Sequence, residues 1–132
     1  MNKQGDDIKK NTPRYQNDIT LLYIHYIYKS SQSVRRKYKL NTHAITILVA
    51  CYLYSKYENS LFNQSAIVFY LRVYSSVRIK KYLGILVDIG LIAQRGVNKY
   101  SLTDSGIEAI NEIGQNSETL IYEFCSKYGI EL

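Results

Sequence analysis

Along Ser75-Ser76-Val77-Arg78-Ile79-Lys80-Lys81, short hydroxyls and long cations crowd into two helical turns. A hydroxyl donates and accepts single hydrogen bonds, arginine presents a planar fork that fits a phosphate or a guanine edge, and lysine supplies a mobile point charge. Ser75, Ser76, Arg78, Lys80 and Lys81 are therefore candidates for gripping a polyanion, with Arg78 the candidate reader of a base edge and the lysines and serines the phosphate holders. Further along, Arg95, Asn98 and Lys99 surround Gly96-Val97. Gly and Asn there favour a tight hairpin that sets Arg95 and Lys99 at its root and Asn98 at its tip.

Other chemistries find less support. His25 and His43 are isolated, with no Cys, Asp or Glu at metal-ligand spacing, so both read as structural and no metal is expected. The glycines at 84, 90, 96 and 106 make neither a phosphate loop nor a dinucleotide fingerprint, and no nucleophile, base and orienting group assemble by motif. No cofactor is expected, and the chain is not expected to be an enzyme. Cys51 and Cys125 lie far apart in apolar helical patterns and read as reduced, buried thiols.

The elements that position the cations follow from periodicity and caps. A helix is expected from Asp18, with Ile19, Leu22, Tyr23, Tyr26 and Ile27 on one stripe, running toward Arg36 and closed by Arg35, Arg36, Lys37 and Lys39. Asn41 or Thr42 caps a second helix that is apolar nearly all round, which places it centrally. Asn63 or Ser65 starts a short third helix, and Val73-Tyr74-Ser75 connects it to a fourth, capped at Ser76, with Ile79, Tyr82, Leu83 and Leu86 inward and Gly90 as its left-handed exit. Leu91–Gln94 and Lys99–Leu102 flank the hairpin turn. Thr103 caps a fifth helix with Ile107, Ile110 and Ile113 inward, and Gly114–Ser117 is expected to bend the chain before a last helix through Leu120, Ile121, Phe124 and Tyr128. The fold class expected is mainly α with a small β-hairpin, in which a short helix, a turn, a longer basic helix and a hairpin give the order of a winged helix-turn-helix.

Charge distribution sharpens this. The 132 residues carry a formal charge of +6. Residues 60–100 hold Arg72, Arg78, Lys80, Lys81, Arg95 and Lys99 against Asp88 alone, whereas residues 103–132 set six acids against Lys127. A local basic face implies an acidic partner, and double-stranded DNA fits it. The longest apolar run, from Ile45 to Tyr54, is about half the roughly 20 residues that span a bilayer, so no membrane partner and a cytoplasmic location are expected. One domain is expected over 18–132, with a DNA-binding lobe over about 60–103, helices over about 18–37 and 104–129, and a flexible basic arm over 1–17. Most of the fourteen tyrosines sit beside Ile and Leu at helical spacing and read as filler; Tyr74, in the turn, is the exception.

The run from Ser75 to Leu83, leading through Leu86 to Asp88-Ile89-Gly90-Leu91-Ile92 and then Tyr100-Ser101-Leu102-Thr103-Asp104-Ser105-Gly106, resembles the MarR-like family of winged-helix transcriptional regulators. The resemblance covers roughly residues 40–115 and implies a recognition helix, a Gly-Leu-Ile exit into the wing and a Leu-Thr-x-x-Gly helix start. The chain departs from that family in its short wing, which lacks an Asp-x-Arg motif. The resemblance also implies a homodimer joined through N- and C-terminal helices, here the apolar stripes Ile19–Ile27 and Leu120–Tyr128, and a pocket for a small aromatic ligand, for which Tyr23, His25, Tyr26 and Tyr52 are candidates, with core packing their competing use. Three function classes follow: a dimeric transcriptional regulator, expected to repress; a winged-helix DNA-binding protein of a plasmid, phage or mobile element acting in replication or partition; and a winged-helix module that binds only protein.

Overall fold

The most apolar segment becomes the centre of the molecule. In the computed structural model, which describes residues 18–131, helix α3 (Thr42–Tyr57) buries Ala44, Ile45, Ile47, Leu48, Ala50 and Cys51. Asn41 is its cap, its Oδ1 accepting from the amide of Ala44 at 2.9 Å. Around α3 gather Ile67 of α4 (Gln64–Leu71), the Ile79, Tyr82, Leu83 and Leu86 stripe of α5 (Ser76–Asp88), then Leu91 and Ile92, and finally Ala109 and Ile113 of α6 (Asp104–Tyr128), in one continuous core. Each fully buried aliphatic side chain in it contributes about 1.5–3 kcal/mol. The architecture is mainly helical with one two-stranded antiparallel hairpin, β1 (Ile92–Gly96) and β2 (Lys99–Leu102). The arm expected over residues 1–17 lies outside the described residues.

Three expectations change. The first helix does not run on unbroken: α1 covers residues 18–30, Ser31 is a turn, and a separate α2 (Gln32–Tyr38) follows. The serines account for the break, because the hydroxyls of Ser30 and Ser31 donate back to the carbonyls of Ile27 and Tyr28. Arg35 then donates to Ser31 Oγ and to the Tyr28 carbonyl, giving the backbone an alternative to a continuous ladder. Asp18 is already helical, so it is not the cap.

The second change concerns the C-terminal helix. No bend occurs at Gly114–Ser117, and α6 runs unbroken for 25 residues. Its buried stripe is Gly106, Ala109, Ile113, Ser117, Ile121 and Cys125. Ile107 points outward and is 39% exposed, because a three-residue spacing from Ile107 through Ile110 to Ile113 drifts off a helix face of period 3.6. Ser117 is held where a bend was expected, its hydroxyl donating to Ser30 Oγ of α1 at 2.7 Å while Asn116 Nδ2 donates to the Ser30 carbonyl at 3.2 Å.

The third change is one residue at the start of α5, whose cap is Ser75 rather than Ser76. Other boundaries fall where local chemistry sets them. Thr103 caps α6, Gly90 takes φ +81° after α5, and Gly129 takes φ +67° after α6. In the hairpin Ile92 pairs with Leu102, Gln94 with Tyr100 and Gly96 with Lys99, with an irregularity between Gln94 and Gly96 and the turn at Val97-Asn98. Phe62 adds an antiparallel bridge to Tyr100, with backbone bonds of 3.0 and 2.8 Å in the two directions. Among the described residues, no helix is long and apolar enough to cross a membrane.

Candidate nucleic-acid interface

All eight sequence-selected residues, Ser75, Ser76, Arg78, Lys80, Lys81, Arg95, Asn98 and Lys99, are exposed. Their placement starts with α4. Asn63 caps it, with Oδ1 accepting from the Ala66 amide at 2.8 Å. The helix stops after two turns at Arg72, which adopts a left-handed conformation with φ 59° and lays its guanidinium 4.7 Å from the Phe69 ring. Residues 72–75 then turn the chain into α5, where Ser75 Oγ accepts from the Arg78 amide at 3.3 Å.

Gln64 ties these pieces together. Its Nε2 donates to the Ser76 carbonyl at 3.0 Å and to Ser76 Oγ, and its backbone amide donates to Asn98 Oδ1 at 3.3 Å. One residue thus connects the start of α4, the start of α5 and the hairpin tip. Asn98 reaches it from a left-handed backbone at φ 54°, which Asn tolerates better than most residues. Across the hairpin, Arg95 Nε donates to Ser101 Oγ at 2.8 Å.

The first turn of α5 is braced from beneath. Arg78 lies 5.3 Å from the centre of the Tyr74 ring, whose hydroxyl shares a 2.8 Å hydrogen bond with His43 Nδ1. Asn41 Nδ2 donates to Tyr82 Oη at 3.0 Å. That bond, reinforced by the cations of Arg78 and Lys81, favours the phenolate and holds the Tyr82 hydroxyl below its ordinary range despite burial, which acts the other way. With Ile79, Tyr82, Leu83 and Leu86 buried, the outward face of α5 carries Val77, Lys80, Lys81 and Gly84 at helical spacing. Chemically, this is an exposed cationic surface able to contact phosphates over more than one element.

No family model, curated protein or solved structure matches this chain.

The four candidate pocket residues are not brought to one place. Tyr23 of α1 lines a groove of about 550 Å³ with Glu118, Thr119, Ile121, Tyr122 and Glu123 of α6. His25 lines a different groove, of about 420 Å³, with Leu21, Leu22, Phe124 and Tyr128. Tyr26 meets His25 edge to face with ring centres 4.9 Å apart, and Tyr52 sits on α3 beneath the Lys56 ammonium. Cys51 is fully buried, which pushes its thiol well above the ordinary range. Among the described residues, no three His, Cys, Asp or Glu side chains stand close enough to hold a metal ion.

Several contributors escaped the sequence reading. Gln64 carried no signal, since a glutamine just after an N-cap is ordinary. The Phe62 to Tyr100 bridge had one, an aromatic and β-favouring residue set between the breaker Glu58-Asn59-Ser60 and the cap Asn63. Val77 was hidden among the charged residues around it.

Proposed function

We propose that this chain is a winged helix-turn-helix protein that binds double-stranded DNA sequence-specifically, acting as a homodimer that regulates transcription, with repression the expected sign. The observation that carries the reading is the joining of α4, α5 and the hairpin tip through Gln64, which presents Arg78, Lys80, Lys81, Arg95 and Lys99 from one tied unit. In that reading α4 braces the duplex backbone, α5 enters the major groove and the hairpin flanks it. Six cations against one acid over residues 60–100 supply the attraction for phosphates. The likeness of residues 40–115 to the MarR-like pattern agrees with this reading.

A second copy is supported by α1, where Leu21 and Ile24 are 58% and 62% exposed beside Tyr23 and Tyr28. A two-fold pair would set two α5 helices about 34 Å apart, one turn of DNA, and favour an inverted repeat.

Fluorescence anisotropy of labelled duplexes across a salt series tests the reading. Wild type is expected to bind tightly and weaken steeply with salt, while an Arg78→Ala, Lys80→Ala, Lys81→Ala variant loses most of its affinity and, through its two phosphate-holding lysines, about two units of the log–log salt slope. A folded wild type that ignores duplex DNA, or binding indifferent to the triple change, overturns it.

A further inference from the structure

We propose that Val77, with Val73 in the turn before it, reads thymine methyl groups, so that the bases under the start of α5 are A·T pairs. The inference rests on the DNA-binding reading above and names what that surface recognises. Val73 is 75% and Val77 79% exposed, although both are β-branched apolar residues that normally go inside. Arg72, Arg78, Lys80 and Lys81 surround them in sequence, and no acid occurs between residues 60 and 87. A uniformly cationic rim of that kind disfavours an ordinary protein partner and favours a polyanion. Duplex DNA offers one apolar group at its major-groove edges, the C5-methyl of thymine.

The hydroxyls nearest to Val77 are already engaged. Ser75 Oγ accepts from the Arg78 amide and Ser76 Oγ receives Gln64 Nε2. The valine methyl groups have no such commitment. Gly84 provides a separate indication of close approach. It lies on the same face of α5, two turns beyond Val77, and apart from the neighbouring backbone of its own helix no atom comes within 4 Å of where a Cβ would stand. Nothing inside the chain requires glycine there, and glycine weakens a helix interior. A backbone brought against a ligand gives it a reason.

The test uses the full chain with poly(dA-dT) and poly(dA-dU), duplexes that differ by the methyl group. Wild type is expected to bind the methylated polymer at least about four-fold more tightly, the factor that follows from burying one methyl-sized group. Val77→Ala, whose fold is checked by circular dichroism, is expected to bring that ratio toward one with its salt slope unchanged. Equal affinity of wild type for the two polymers overturns methyl reading while leaving DNA binding intact, and a ratio unmoved by Val77→Ala and Val73→Ala overturns the residue assignment. Binding to neither polymer overturns both readings and directs the apolar strip to a protein partner.

Discussion

Between Asn63 and Leu102 nearly every junction is held by a side chain: Asn63 and Ser75 cap helices, Gln64 and Asn98 join three elements, and Arg95 crosses the hairpin to Ser101. At the opposite end, α1 meets α6 through the hydroxyl pair Ser30 and Ser117 and the Asn116 amide, while Leu21, Ile24 and Tyr28 stay open to water. One end is cationic and tied together by side chains, with Val73 and Val77 standing out among the cations. The other is acidic along α6 and leaves the apolar stripe of α1 open to water. Under the proposed function the difference has a reason: a surface that docks onto a rigid polyanion gains from being set beforehand, whereas one that a second copy would complete gets its remaining burial on association.

The seam between the two ends is where the contrast breaks most severely. Thr103 donates to the Gly90 carbonyl at 2.6 Å and receives the Gly106 amide at 3.1 Å, and a Cβ on Gly106 would drive into the Leu91 carbonyl oxygen and press on Leu102. Gly106→Ala is expected to cost about 3 kcal/mol, the upper end of overpacking losses, read as a fall of roughly 12 °C or more in melting temperature. An unchanged melting temperature would mean that the hairpin and α6 shift apart freely.

Next in size is the open end. For the proposed homodimer, Ile24→Asp is expected to raise the dissociation constant by at least roughly 30-fold, the equivalent of about 2 kcal/mol summed over the two copies of the lost apolar side chain, with the monomer's melting temperature unchanged. Sedimentation equilibrium reads the first and thermal unfolding followed by circular dichroism the second, and a variant that associates like wild type would move the partner surface elsewhere.

Smaller effects sharpen the comparison. Asn98→Gly keeps the left-handed turn but removes the bond to Gln64, so chemical denaturation should register a loss of about 1 kcal/mol, typical of one hydrogen bond, with faster amide exchange at Gln64. Ser117→Ala should cost least, about 0.5 kcal/mol, because Ser30 Oγ still donates to the Ile27 carbonyl. If Ser117→Ala proved costlier than Asn98→Gly, the two ends would be equally dependent on polar ties.

Sequence patterns located what local chemistry decides. Asn41, Asn63 and Thr103 cap helices because an amide or hydroxyl oxygen there finds an unsatisfied backbone amide within its own turn. Gly90 and Gly129 close helices because left-handed geometry costs them little. Packing between distant segments was not legible. The inward face of α6 is built from Gly106, Ala109 and Ser117 as much as from Ile113 and Ile121, and small residues that admit a close neighbour carry no hydrophobic signal. Gly114 suggested a bend, but α6 stays unbroken because residues on either side are already committed, Ile113 to the core and Ser117 to α1. Of the candidate interface, the exposed cations were readable as a charge cluster, while the joining role of Gln64 depended on bringing residues 76 and 98 to its side.

The uninterrupted α6 has a mechanical consequence. Twenty-five residues at 1.5 Å each make a beam of about 37 Å, fixed at its Thr103 end to the hairpin and bearing Tyr122, Phe124 and Tyr128 at the far end beside α1. Tilting such a beam by about 5° displaces its tip by roughly 3 Å, simple leverage over that length. Because Thr103 ties the start of α6 to the Gly90 carbonyl just before β1, a tilt imposed on the helix beside α1 would reach the hairpin as a change of angle.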